Sequence, residues 1–197
     1  MVSEKTKIFI VAVILILLVG GIYFVRNRRI QNQSSQSQES EKTMEVVPTE
    51  MIENNIFSIR TDKTSFQAGE NFNAKILFKA PGKKIFGSDV ILLYDPEFLS
   101  ANNTSISVGD FFDNNPRKTA DGKNGIIKIT SYGGKDQILD ENPIELGSID
   151  FKALKQGVSH IDFSFVKGKT NTSTLVEAKT SQNILEKTVG LNFNISQ

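Results

Sequence analysis

From about Ile52 onward the chain breaks into short apolar runs, none long enough to make an amphipathic helix. They are NIFSIRT, NFNAKILFKA, DVILLYD, GIIKITSY, IELGSIDFKA, VSHIDFSFV, STLVEAK and VGLNFNI. Turn-forming stretches, AGE, PGKK, DGKNG, LKQG and KGKTN, separate them. A lone hairpin cannot bury its apolar face, so runs spaced this closely through Ile52 to Gln197 predict an all-β fold of two packed sheets. Alternation assigns the core: Phe72, Ala74, Ile76 and Phe78 share one face, as do Ile149, Phe151 and Ala153, and as do Ile161, Phe163 and Phe165.

One run departs from alternation. In DVILLYDPEFLS, Asp89 to Ser100, the segment VILLY offers apolar residues to both faces before it stops at a Tyr-Asp-Pro corner. A strand of this kind is covered on each side, one cover being the core. Counting back from the corner, Val90, Leu92 and Tyr94 point one way and Asp89, Ile91 and Leu93 the other. If the first set is buried, the second lies on the sheet surface, where a loop of the same chain or a partner covers it.

The first quarter of the chain has a different character. Ile8 to Val25, IFIVAVILILLVGGIYFV, carries no charge. At about 1.5 Å per residue a helix of that length crosses the hydrocarbon core of a bilayer. The run is longer than a signal-peptide core and ends in IYFVRNRR rather than in small residues, which predicts an uncleaved transmembrane helix after a short flank, residues 1 to 7. Lys5 and Lys7 precede it while Arg26, Arg28 and Arg29 follow, so a literal positive-inside count favours a cytoplasmic C-terminal part by one charge. The free N-terminal amine blunts that margin. The polar segment QNQSSQSQESEKT, inside a linker spanning residues 26 to 51, reads as a flexible tether that holds an extracellular domain off the membrane.

Composition removes several kinds of chemistry. Cysteine is absent, which excludes disulfides, thiolate nucleophiles and cysteine-based zinc sites. With Lys+Arg 23 against Asp+Glu 22 there is no electrostatic case for nucleic acid. The single histidine, His160, sits in VSHIDFSF on the side opposite Ile161 and Phe163, the pattern of a solvent-facing strand histidine with no nucleophile beside it. Asp113, Asp121 and Asp140 fall in stretches rich in Asn and Gly, where turn chemistry explains them. DNNPRKTADGKNG lacks the alternating oxygen ligands and closing glutamate of a calcium-binding hand, so it too reads as a turn. The sequence gives no ground for an enzyme or a bound cofactor.

The ordered set FQAGENFNAKI, SDVILLYDPEFL, VGDFF, NGIIKIT, LGSIDFKALKQGVSHIDF and TSTLVEAKTSQNIL resembles a cohesin domain over roughly Asn55 to Ile195. The resemblance implies a nine-stranded jelly-roll β-sandwich that binds dockerin modules, in systems that often degrade polysaccharides. It also implies kinship with carbohydrate-binding modules. Cohesins dock dockerins on the outer surface of the sheet that holds this strand. Asp89 matches a position where they often place a contacting acid, whereas Gly87 stands where Asn is common.

Alternation extends the candidate face. With Ile127 and Ile129 inward, Lys128, Thr130 and Tyr132 point out, and opposite Ile149 and Phe151, Asp150 and Lys152 point out. Together with Asp89, Ile91 and Leu93 these would give an apolar centre with a charged rim, a common plan for protein interfaces. A solvated sheet face is the alternative. The function expected is therefore a membrane-anchored, surface-exposed module that recognises a dockerin-like protein. A carbohydrate-binding module on the same fold is the second reading. No tryptophan is present to stack on sugar rings, which leaves Tyr94, Tyr132 and phenylalanines for that task.

Overall fold

The computed structural model describes residues 54–197. The apolar run Ile8 to Val25, its flank and the linker at residues 26 to 51 lie outside them. Among the described residues no helix is long and apolar enough to cross a membrane.

Two β-sheets face each other. The first is built from β1 (Ile56–Arg60), β3 (Asn71–Lys79), β5 (Leu99–Ser100), β6 (Ile106–Val108), β9 (Ile144–Ala153) and β12 (Lys187–Val189). Its order is β12-β1-β3-β9-β5, with β6 also on β9. The second holds β2 (Ser65–Gln67), β4 (Ile85–Tyr94), β7 (Phe112–Asp121), β8 (Ile126–Gly134), β10 (Gly157–Phe163), β11 (Thr174–Glu177) and β13 (Leu191–Ser196). Its order is β2-β13-β10-β4-β8-β7, with β11 also on β4. The all-β two-sheet expectation holds. The described residues form 13 strands rather than nine: the eight apolar runs are β1, β3, β4, β8, β9, β10, β11 and β13, and β2, β5, β6, β7 and β12 add to them. A 3-10 turn, Asn103–Ser105, separates β5 from β6. The breaks at β1/β2 and β12/β13 send one run of chain into both sheets.

Aromatic side chains join the sheets along their length. Phe66 of the second sheet stacks on Phe72 of the first at 3.9 Å, Tyr94 meets Phe151 edge-on at 5.2 Å, and Phe57 faces Phe163 at 5.6 Å. Phe78 packs on Phe112 at 6.0 Å. Each fully buried ring of this size contributes about 1.5–3 kcal/mol through area removed from water. Nearly every residue assigned to the core by alternation is buried; Phe165, beyond the end of β10, is only partly so.

The stretch read as a turn, DNNPRKTADGKNG, is mostly strand. β7 runs through it to Asp121, and the turn is confined to residues 122–125. Pro116 is tolerated because β7 is the sheet edge and its pairing with β8 shifts register between Asn114 and Arg117, a bulge that needs no donor from the proline. Gly125 closes the turn at φ 64°, and an added Cβ would collide with the Tyr94 carbonyl. Asp113 and Asp121 therefore belong to β7 rather than to loops.

Candidate docking face

The outward surface of β4 and its neighbours collects most of the residues that alternation selected. Asp89 pairs with Thr130, Ile91 with Lys128 and Gly87 with Tyr132, so β4 and β8 present these side chains to one side. Val90, Leu92 and Tyr94 are buried on the other. The Thr130 hydroxyl donates to Asp89 Oδ1 at 2.7 Å, which holds that carboxylate against the sheet.

Asp150 and Lys152 do not belong to this surface. Their strand, β9, lies in the first sheet, where Asp150 pairs with Asn73 and Lys152 with Asn71. Alternation tells which way a side chain points from its own sheet, but not which sheet its strand joins. The two line a polar groove of about 630 Å³ with Asn71, Asn73 and Asn102, and Asn73 Nδ2 donates to Asp150 Oδ1 at 2.7 Å.

The second cover of VILLY is graded along the strand. β10 pairs with β4 only as far as Leu92, and β11 takes over at Asp89. Between them the connection 164–173 leaves the sheet, and Ser173 fills the gap. Ile91 N–H donates to Ser173 Oγ at 3.0 Å, and the Ser173 hydroxyl donates to the Ile91 carbonyl at 3.3 Å. Thr170, Asn171 and Thr172 then border a concavity of about 230 Å³ with Asp89, Ile91, Arg117 and Lys128. Asp89 and Ile91 are half-buried in consequence, while Leu93, beyond the connection, is 40% exposed.

Three further residues of the face were missed by sequence reasoning. Phe86 is 53% exposed and its ring stacks on that of Tyr132 at 6.5 Å with the planes 29° apart. Strict alternation would bury it beside Ser88, but the register shifts between β4 and β11 here, so that Ile85 enters the core and Phe86 turns outward. Arg117 was hidden inside the supposed turn and lies opposite Thr130. Val158, 76% exposed, shares the outward parity of His160 and was legible from it. His160 itself is exposed, with Nε2 3.7 Å from Asp162 Oδ2.

Of Asp113, Asp121 and Asp140, the last two are held by neighbouring asparagines. Asp121 accepts from the side-chain amide and backbone N–H of Asn124, which lowers its pKa, and Asn142 does the same for Asp140 through its backbone and side chain. Among the described residues no group of three or more His, Asp or Glu could hold a metal ion. Tyr94 is buried and its phenol pKa is raised by that burial, so of the two tyrosines considered for sugar stacking only Tyr132 is available.

The cohesin domain model matches residues 57–190, and the chain belongs to the cohesin family. No curated protein matches it. Among solved structures it is similar to the type II cohesin dyad of the adaptor ScaA scaffoldin of Acetivibrio cellulolyticus, at 19% identity and a TM-score of 0.59, over 73% of this chain and 49% of that one. The chain thus spans about half of the dyad. A single type II cohesin from the cellulosome of the same organism matches at 19% identity and a TM-score of 0.55, over 72% of this chain and 96% of that one. A type I cohesin–dockerin complex from Clostridium thermocellum matches at 18% and 0.53, over 72% of this chain and 100% of that one. At such identities the likeness concerns the fold.

Proposed function

We propose that residues 52–197 form a protein-recognition module for a dockerin-type partner, held outside the cell by a transmembrane helix at Ile8 to Val25 and a tether at 26–51. The observation that carries the reading is the outer face of β4 and β8. Phe86 and Tyr132 at one end of the β4–β8 ladder and Leu93 at the other are large apolar side chains at least 40% exposed on one sheet face, with Asp89, Lys128, Thr130 and Arg117 between them. Exposed large apolar side chains sharing one face with polar and charged groups mark an interaction surface. Membership of the cohesin family supports a dockerin as the partner, and complexes with dockerins are among the similar structures. The polar groove of the first sheet has no exposed aromatic ring among its lining residues, so docking is favoured over sugar binding.

The test pairs capture with topology. Immobilised domain is offered dockerin modules encoded by the organism that makes the chain and, separately, soluble polysaccharides in affinity gels. Capture of a dockerin with no retardation by polysaccharide supports the reading, and the reverse outcome replaces it with the carbohydrate one. For the anchor, the full chain should fractionate with membranes at uncleaved mass, and protease outside intact cells should release the domain by cutting near Ser34 to Lys42. Protection from that protease would invert the topology.

A further inference from the structure

We infer that the concavity between β7, β8 and the 164–173 connection receives a side-chain carboxylate, from an aspartate or glutamate, of the docked partner. This rests on the docking reading and specifies the partner's chemistry at one point of that face. The bulge between Asn114 and Arg117 places Arg117 opposite Thr130, and Lys128 stands on the same side two residues along β8. Both border the concavity and both are exposed. Neither makes an ion pair among the described residues. The one acid at the site, Asp89, has an oxygen committed to the Thr130 hydroxyl, so two cations face a single carboxylate. Thr170 and Asn171 add an exposed hydroxyl and an exposed amide on the opposite rim.

Docking would strip water from these two cations. A cation desolvated without a counter-ion opposes association, whereas a carboxylate held by a guanidinium fork and an ammonium turns the same burial into charge-assisted hydrogen bonds. A partner with a neutral or basic group at this point is disfavoured by the same groups, so the concavity selects among partners as well as binding one.

The inference is tested on the full chain, 15N-labelled in uncharged maltoside micelles, by titration with N-acetyl-glutamate N-methylamide and, in parallel, its glutamine analogue. Saturable amide shifts at Arg117, Lys128, Thr130 and Asn171 with the glutamate alone are expected. In the Arg117→Ala/Lys128→Ala double variant they should vanish, with the rest of the spectrum unchanged, and in Lys152→Ala they should persist. An equal response to glutamine, no response to glutamate, or shifts that survive in the double variant would overturn it. Dockerin capture by the same chain, and its loss in Leu93→Asp, reads the docking face separately. A failed titration with intact capture removes only the carboxylate site, and failed capture removes the docking reading.

Discussion

Phe163 and Leu93 sit on neighbouring strands, β10 and β4, one ladder step apart, yet they face opposite ways. Phe163 is 7% exposed and lies against Phe57, whereas Leu93 looks outward. Truncating Phe163 to Ala should lower unfolding free energy by about 3–5 kcal/mol, since a buried ring leaves a cavity. Leu93→Asp should change it by less than about 1 kcal/mol, because an outward side chain leaves none. Urea denaturation of both variants checks the contrast. A second residue-scale test concerns Glu177, whose carboxylate accepts from the Thr180 hydroxyl at 2.6 Å and pairs with Lys83 at 3.0 Å. The Thr180 bond first and Lys83 second lower its pKa from the ordinary 4.5. The folded state thus prefers the charged form more than the unfolded state does. Its contribution is present above about pH 4.5 and is lost as pH falls through the lowered folded value. Glu177→Gln should be less stable near neutrality and should show a shallower loss of stability in acid, read from denaturation midpoints across that window.

At the scale of elements, the junction where β10 leaves β4 and β11 joins it depends on Ser173, which is fully buried and bonded to both backbone groups of Ile91. Ser173→Ala should cost about 1–3 kcal/mol, because the Ile91 N–H loses its acceptor on the side where neither β10 nor β11 pairs with it. Hydrogen exchange at Ile91 should quicken in that variant more than at Leu92. The same elements show what the sequence could carry. Every apolar run read as a strand is one, since period-two burial is written into the residues themselves. β7 was lost because its stabilisation comes from an edge position and a bulge around Pro116, both properties of the assembled sheet. Asp89, Ile91, Leu93, Lys128, Thr130 and Tyr132 could be grouped because β4 and β8 do pair, while Asp150 and Lys152 were misgrouped because strand order across two sheets is not local information. Phe86 needed knowledge of a bulge that no period reveals.

For the whole molecule, the core cluster among the described residues runs from Phe57 to Ile195 and joins both sheets, a core sufficient for a domain that folds by itself. The piece from Ile52 to Gln197 should therefore be soluble and give an almost wholly β circular dichroism spectrum, and substantial helical signal would contradict the fold. The two outer faces of that sandwich differ in kind. One has apolar anchors with unpaired cations; the other has asparagines, ion pairs such as Lys75 to Glu145 at 3.1 Å, and a polar groove. Docking is proposed for the first alone. Its most direct test is calorimetric titration of a captured dockerin into the wild-type domain, Leu93→Asp and Asp150→Lys. At least about a hundredfold loss of affinity is expected for Leu93→Asp, the scale of a strong interface residue, and wild-type affinity for Asp150→Lys. Undiminished binding by Leu93→Asp together with lost binding by Asp150→Lys would move the docking site to the opposite sheet and contradict it.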